Sequence, residues 1–242
     1  MEKRLLLIVL TFLPFLSFAQ ESKKIDSTAI FILDKMNDII GDLESVSFNV
    51  ATSSDKINVE QNIETHFSTS SVSMVGPDKL MSRTKGDRGN YGIWYDGAFI
   101  SYYSFDENNY VTLEAPDNII TMIDSMHVKF DFKFPAADFF YPSFTDDIID
   151  AFDTVKYIGK KIVEGEECFH IMATNNEMHV QIWISNDTGM LPKKLLIMDK
   201  NENNLQIEST FTDWSLNPNI PESVFDFLPP PNARLISILA KS

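Results

Sequence analysis

One predicted hairpin carries the residues best suited to chemistry, a cysteine and two histidines. Cys168, His170 and His179 alternate with apolar residues on two neighbouring predicted strands. If Asn175-Asn176 forms a two-residue turn, all three side chains share one face of the hairpin. A cysteine and two histidines could bind zinc. No carboxylate is placed nearby and the diagonal spacing is loose, so we predict a semi-polar outer face with no metal and no cofactor.

Familiar catalytic motifs are missing from the rest of the sequence. The chain has no Gly-x-Ser-x-Gly elbow, phosphate-binding loop, His-Glu-x-x-His motif or dinucleotide fingerprint. Acidic pairs such as Asp146-Asp147 and Glu166-Glu167 are expected by chance in a chain whose net charge is −15 at pH 7. We therefore predict that the protein is not an enzyme. A hydrolase, the alternative, would need a nucleophile and a base that the sequence does not reveal.

The N-terminal segment has the organisation of a secretory signal peptide. Two basic residues precede an apolar run over residues 5–15, and Ser17-Phe18-Ala19 offers small residues at the positions that signal peptidase recognises. The run is short for a membrane span, although an uncleaved anchor is the alternative. We predict cleavage after Ala19, which leaves residues 20–242 as one soluble periplasmic domain. The only cysteine lies far from the cleavage point, so no lipid anchor is predicted there.

The acidic balance of the chain limits its partners. It has 35 Asp and Glu residues against 20 Lys and Arg residues. Nucleic acids and anionic membranes both require basic surfaces. We therefore predict no nucleic-acid partner and no docking on anionic lipid. A single cysteine allows no intrachain disulfide, so stability must come from a core with 19 Phe and 10 Met residues available.

Alternating apolar residues predict that most of the chain is β-sheet. A C-terminal meander is predicted from strands over residues 156–164, 167–174, 177–185, 191–199 and 205–214. Further strands are predicted over residues 45–52, 57–70, 71–75, 79–84 and 110–114. An antiparallel sheet of this size has an apolar face that another element must cover.

The strongest hairpin signal is Asp96-Gly97 between two aromatic-rich runs. With these two residues as the loop, Trp94 lies opposite Phe99. Both faces of this hairpin are apolar or aromatic, which indicates cover on both sides or one face that lines a cavity. Phe225 and Phe227, in the proline-rich C-terminal segment, are predicted to pack against the sheet.

Helical spacing occurs in two places. Asp26 or Ser27 is predicted to cap a first helix, whose apolar stripe packs on the sheet. A second region, residues 116–152, is predicted to form one helix over 118–127, a short helix after Pro135 and a third over 145–152. Because this insert is rich in Met and Phe, which adapt to changing shapes, we interpret it as a lid over an open sheet face.

Several motifs, taken in order, resemble a known family. The most specific are Trp94-Tyr95-Asp96-Gly97, then Gln181-Ile182-Trp183-Ile184 with Leu191-Pro192-Lys193, and Phe225-x-Phe227 before Pro229-Pro230. Over residues 27–233 the chain resembles the predicted periplasmic protein family DUF2092. That family is similar to the periplasmic lipoprotein-carrier superfamily of LolA, LolB and LppX type. It has no assigned chemistry, so the resemblance implies no catalytic residues.

The resemblance implies an α+β fold, a curved antiparallel half-barrel whose concave face is covered by helices. It implies a periplasmic binding or carrier protein for an acyl chain or another lipid-like hydrophobic ligand, held between the sheet and the lid. The residues expected to line this site are Trp94, Phe99, Ile119, Met122, Ile123, Met126, Phe139, Phe140, Ile171, Ile182 and Ile184. The alternative is a scaffold of the cell envelope that binds a protein partner through exposed aromatic residues such as Tyr102, Tyr103 and Trp183.

Overall fold

The computed structural model describes residues 23–130, 132, 134 and 137–238. The predicted signal peptide, residues 1–19, lies outside the described residues. Thirteen strands of the described residues form one sheet. Their bounds are β1 Lys24–Ile25, β2 Ser45–Ile57, β3 Ile63–Val75, β4 Lys79–Gly86, β5 Gly89–Tyr95, β6 Phe99–Ser104, β7 Asn109–Glu114, β8 Thr154–Val163, β9 Glu166–Thr174, β10 Met178–Ser185, β11 Pro192–Asp199, β12 Leu205–Leu216 and β13 Arg234–Leu235.

Three α-helices and two short 3-10 helices accompany the sheet within the described residues. The α-helices are α1 Ser27–Gly41, α2 Ile119–Phe130 and α3 Phe144–Ala151. The 3-10 helices are Ala137–Phe140, between α2 and α3, and Glu222–Val224, near the C-terminus. The helical insert predicted between the two blocks of strands is confirmed, although its second helix is a single 3-10 turn.

The sheet is open and curved. Its strand order is β1-β8-β9-β10-β11-β12-β2-β3-β4-β5-β6-β7-β13, so the first and last strands do not meet. All neighbours are antiparallel except the two-residue edge strands β1 and β13, which pair in parallel. The predicted half-barrel is therefore confirmed. The C-terminal meander lies directly beside the N-terminal strands because β12 pairs with β2.

The helix α1 begins at a carboxylate that also joins it to the sheet. The Asp26 side chain accepts the N–H of Thr28 at 2.8 Å, which satisfies one of the unpaired donors of the first turn. Its second oxygen accepts the N–H of Tyr157 in β8 at 3.2 Å. These hydrogen bonds lower the pKa of the Asp26 carboxyl. The buried stripe of α1, including Leu33 and Met36, packs on the concave face.

Two hairpins have a register that differs from the predicted one. The Asp96 N–H donates to the Phe99 carbonyl at 3.2 Å, and the Asp96 carboxylate accepts the N–H groups of Ala98 and Phe99 at 2.9 and 2.8 Å. Asp96 is therefore the first residue of the turn rather than part of a two-residue loop. As a result, Trp94 lies opposite Ser101, and the predicted pairing with Phe99 is wrong.

The β9–β10 hairpin shows the same displacement for the same reason. The Asn175 side chain accepts the N–H groups of Glu177 and Met178 at 2.8 and 2.7 Å. Asn175 thus begins the turn, and His170 lies opposite Trp183. A displacement of two residues leaves each side chain on its predicted face, because side chains alternate with period two.

The structure also merges two predicted strands. The sequence pattern predicts separate strands over residues 57–70 and 71–75, but they form the single strand β3. The chain reverses earlier, at residues 58–62, where the Asn58 side chain accepts the N–H groups of Glu60 and Asn62, both at 3.0 Å. A serine-rich stretch such as residues 68–73 contains no turn signal of this kind.

The C-terminal tail, residues 217–238, covers the convex face of β5, β6 and β7. The Phe227 ring lies 5.1 Å from Trp94, 6.0 Å from Tyr103 and 5.5 Å from Tyr110, measured between centroids. Phe225 is buried beside it. This arrangement explains why both faces of the predicted hairpin are aromatic: helices cover one face and the tail covers the other.

We predict that the tail contributes strongly to stability. Phe225 is 1% exposed, so Phe225→Ala should lower the free energy of unfolding by about 3 kcal/mol or more, through lost burial and the cavity left behind. Leu228→Ala is the control, since Leu228 is 82% exposed and its truncation should cost less than about 0.5 kcal/mol. Urea denaturation measures both. Equal stability of the two variants would contradict a packed tail.

Candidate functional site

The concave face of the sheet and the helices share one apolar cluster. Its members come from α1, α2, α3, the first 3-10 helix and strands across most of the sheet. Of the predicted site residues, eight are buried in this cluster: Ile119, Met122, Ile123, Met126, Phe139, Ile171, Ile182 and Ile184. Phe140 is half-buried and packs against it. The structure therefore brings together the predicted lid residues and the predicted residues of β9 and β10.

Trp94 and Phe99 do not join this cluster, and their predicted place beside the lid is corrected. In β5, Ile93 and Tyr95 face the helices, so Trp94 between them faces the convex side. Phe99 shares that side, and both residues line a cavity with Phe225. The sequence made both faces of this hairpin equally apolar, so alternation alone could not decide which face belonged to the helices.

A group of aromatic residues at the centre of the site was missed. The Phe48 ring lies 4.4 Å from Trp214 and 5.9 Å from Phe140, and Phe211 lies 5.7 Å from Phe139. Phe48 and Phe211 belong to the neighbouring strands β2 and β12, which are far apart in sequence. The alternation of apolar and polar residues in each strand predicts that these two side chains face the interior. Their proximity to the lid required knowledge of the strand order.

The protein's own side chains occupy the space between the lid and the sheet. Met122 and Ile184 are fully buried, and Phe139, Ile171 and Ile182 are each about 1% exposed. A cavity of about 230 Å³ lies instead under the tail, and another of about 460 Å³ lies beside β1 and β8. Neither of these two cavities lies between the sheet and residues 116–152. The side chains buried there are the ones that a ligand at this site would contact or displace.

The helix α2 is attached to the sheet mainly at its beginning. The Ile119 N–H donates to the carbonyl of Pro77 at 2.9 Å, and the hydroxyl of Tyr95 donates to the carbonyl of Pro116. Further along, Asp124 accepts a hydrogen bond from the hydroxyl of Tyr141 at 2.7 Å, which joins α2 to the end of the 3-10 helix. The remaining attachment is through apolar side chains, whose contacts are non-directional.

Burial shifts the titration of several groups in the lid and under it. Burial, followed by the nearby carboxylate of Asp78, raises the pKa of Tyr95 to about 12. Burial and the neighbouring Tyr91 raise the pKa of Tyr102, and burial raises the pKa of Asp138 in the 3-10 helix. In each case the uncharged form is favoured because the surroundings are poorly hydrated.

The cysteine and histidine face of β9 and β10 is packed. The His170 ring stacks on Trp183 at 4.5 Å, and its Nε2 lies 2.8 Å from the Gln181 side-chain oxygen. Burial lowers the pKa of His170 and raises that of the Cys168 thiol. Within the part of the chain that the structure describes, no three His, Cys, Asp or Glu residues are grouped as metal ligands would be.

The aromatic residues considered for a protein partner are largely covered. Tyr103 is buried under the tail, and its hydroxyl donates to the Asn108 side chain at 2.8 Å. Tyr102 faces the concave side, where it stacks on Tyr91 at 5.5 Å. Trp183 is half-buried beneath His170. The prediction that these three residues form an exposed surface is wrong, since each already packs on its own chain.

None of the helices in the described ranges is long and apolar enough to cross a membrane. The family model DUF2092, whose description is "predicted periplasmic protein", matches residues 29–239. No curated protein sequence matches the chain.

Solved structures with a similar fold have very different sequences. An uncharacterised conserved protein of Thermus thermophilus is 10% identical, with a TM-score of 0.51 over 86% of this chain and 98% of that one. The lipoprotein LppX of Mycobacterium tuberculosis is 14% identical, with a TM-score of 0.50 over 81% and 98%. A LolA superfamily protein of Nitrosomonas europaea is 12% identical over 82% and 97%, but its TM-score is only 0.38. The fold assignment rests on the first two.

Tyr95 gives a testable pH dependence. Its pKa is about 12 in the folded protein and about 10 when unfolded, so its stabilising effect is complete below pH 10 and is lost as the pH rises through 12. The free energy of unfolding should therefore fall over this range, and it should fall less steeply in Tyr95→Phe. Burial also raises the pKa of Tyr141, so the variant keeps part of the slope.

The same variant should be about 1 kcal/mol less stable at pH 7, because the Pro116 carbonyl loses its donor. Urea denaturation at a series of pH values measures both effects. Identical slopes for the variant and the unmodified protein would contradict this account of Tyr95.

Proposed function

The chain belongs to the DUF2092 family of predicted periplasmic proteins, and we propose that it binds and carries a lipid-like hydrophobic ligand there. The ligand lies between the concave face of the sheet and the lid, the insert over residues 116–152 that contains α2, the first 3-10 helix and α3. The observation that carries this proposal is the apolar face itself. It has apolar members on every strand from β8 to β7, and it is covered by α1 together with the Met- and Phe-rich insert.

The energetics favour a flexible apolar guest. Each methylene that leaves water contributes about 0.8 kcal/mol, so an acyl chain is held tightly without polar contacts. In the closed structure the lid side chains already contribute this burial. A ligand therefore replaces one set of apolar contacts with another, and the net affinity is the difference between the two.

The composition of the lid supports such an exchange. Its buried residues include Met122 and Met126, whose unbranched side chains adopt many shapes at low cost. The Ile119 N–H of α2 donates to the carbonyl of Pro77, in the turn between β3 and β4, and in this proposal the helix pivots about that end while its apolar face separates from the sheet. Cores that fix one packing arrangement use methionine sparingly, because its flexible side chain specifies a single arrangement poorly.

Binding rather than catalysis is the natural role for this site. The concave cluster under the lid consists of aliphatic, methionine and aromatic side chains, which suit an apolar guest. The similarity to LppX, which is named as a lipoprotein, supports the fold and not the ligand. The family description and the predicted signal peptide support the periplasm as the site of action.

We predict that a smaller lid residue strengthens binding. Met122→Ala should lower the free energy of unfolding by about 2 to 5 kcal/mol, because a fully buried side chain is truncated. The same change vacates space, so the affinity for a fluorescent fatty-acid probe should rise several-fold. A saturating alkyl ligand should also restore part of the lost thermal stability.

Met172→Ala is the matched control, since Met172 lies on the convex face of β9, opposite Gln181. It should leave the probe affinity unchanged. Mass spectrometry of the protein, purified gently from its native compartment, should detect a bound lipid. Failure of the unmodified protein and of Met122→Ala to bind the probe, with no lipid recovered, would remove the proposal.

A further inference from the structure

Polarity changes in steps along the concave face of β2 to β7. Strand pairing places inward-facing residues in rows that run across these strands, about 7 Å apart. The row nearest α2 is Val46, Met74, Leu80, Tyr95, Ile100 and Leu113. The next row is Phe48, Val72, Ser82, Ile93, Tyr102 and Val111. Apart from Ser82, these two rows are apolar, and they lie nearest the lid.

The following rows are rich in hydroxyl groups. The third row is Val50, Ser70, Thr84, Tyr91, Ser104 and Asn109. The fourth row is Ser209, Thr52, Ser68 and Gly86. We name the third and fourth rows the hydroxyl strip. The concave surface therefore changes from aliphatic to hydroxyl-bearing within about 20 Å along the strands.

The hydroxyl groups of the strip are arranged in pairs that retain hydrogen-bonding capacity. Ser70 Oγ lies 2.8 Å from Thr84 Oγ1, and Thr52 Oγ1 lies 3.2 Å from Ser209 Oγ. Each pair uses one hydroxyl hydrogen internally. One hydrogen and several lone pairs therefore remain for a third group. Ser70, Thr84 and Ser209 are buried, so such a bond would be shielded from water.

The strip carries no charged side chain, and this restricts what it recognises. Farther along the same strands the charged residues begin: His66 Nδ1 lies 3.2 Å from the Asp87 carboxylate, and Lys56 is the cross-strand neighbour of Glu64. A phosphate or sulfate group would meet no Lys or Arg within the strip, whereas such anions are usually bound by charge-assisted hydrogen bonds. The carboxylate at the edge of the strip, that of Glu107, already accepts a hydrogen bond from the Asn109 side chain at 2.6 Å, so an ammonium group would have to compete with that bond.

We infer that the ligand is amphipathic, with an uncharged, hydroxyl-rich head on the hydroxyl strip and its apolar part under the lid. This inference rests on the proposed function and adds the chemistry of the head group. Sugar-like or glycerol-like heads both have this chemistry, because each presents several hydroxyl groups that donate and accept.

The test compares amphiphiles that share a twelve-carbon chain and differ in the head. Dodecyl maltoside, dodecyl sulfate and dodecyl trimethylammonium are titrated below their micelle concentrations, by displacement of a fluorescent fatty acid. The maltoside should bind about tenfold more tightly than either charged amphiphile. Tighter binding of the cationic amphiphile would instead reflect the net charge of −15 and would overturn the inference.

The double variant Ser70→Ala/Thr84→Val removes one hydroxyl pair while keeping the side-chain volumes similar. It should weaken maltoside binding about tenfold and leave the trimethylammonium affinity unchanged. The control is Ser101→Ala/Thr112→Val, which removes an equivalent pair, also 2.8 Å apart, from the convex face. The control should change neither affinity.

The proposed function and the head-group inference fail on different outcomes. If no twelve-carbon amphiphile displaces the probe because the probe itself does not bind, the proposed function fails. If all three bind alike, or if the Ser70/Thr84 variant binds the maltoside as the unmodified protein does, the head-group inference fails and the proposed function stands. Circular dichroism of both double variants checks that each remains folded, and the single change Ser70→Ala, which still breaks the pair, replaces the double variant if it does not.

Discussion

An open sheet cannot leave its apolar concave face in water, and the rest of this fold follows from that constraint. The face spans strands from both ends of the chain, since β12 pairs with β2. Two separate helical elements cover it, α1 before the first long strand and the insert between β7 and β8. Because the hydrophobic effect is non-directional, this cover is strong overall but specifies few individual contacts. A cover of this kind is compatible with replacement by a ligand.

The convex face also has an apolar part that must be shielded from water, but here the C-terminal tail covers it instead of helices. The part over β5, β6 and β7 is strongly aromatic, and the tail covers that part through Phe225 and Phe227. This second small core is separate from the one under the lid. On this side the tail stabilises the sheet, whereas on the opposite side the proposed function requires the lid to exchange its contacts for those of a ligand. That division would let the lid move without unfolding the strands that carry the site.

The errors of register have a common physical cause. Asp96 and Asn175 were both predicted to lie within two-residue loops, because Asp-Gly and Asn-Asn favour such turns. In the structure each side chain accepts two backbone N–H groups that follow it, and this requires the residue to begin the turn. Each side chain still lies on its predicted face of the sheet, because the register differs from the predicted one by two residues and side chains alternate with a period of two. Trp94 was misplaced for another reason, since both faces of its strand were equally apolar.

The sequence alone determined the strands of the meander, the helical insert and the inward phase of residues such as Ile171 and Ile182, because these depend on local periodicity. Nine of the eleven predicted site residues came together for that reason. Only the tertiary structure decided that Phe48 and Phe211 meet under the lid, that Trp94 belongs to the tail, and that hydroxyl rows continue the apolar ones. Those facts depend on which strands are neighbours and how they are aligned. Such pairings can join residues more than a hundred positions apart, as β12 and β2 do, and no local pattern encodes them.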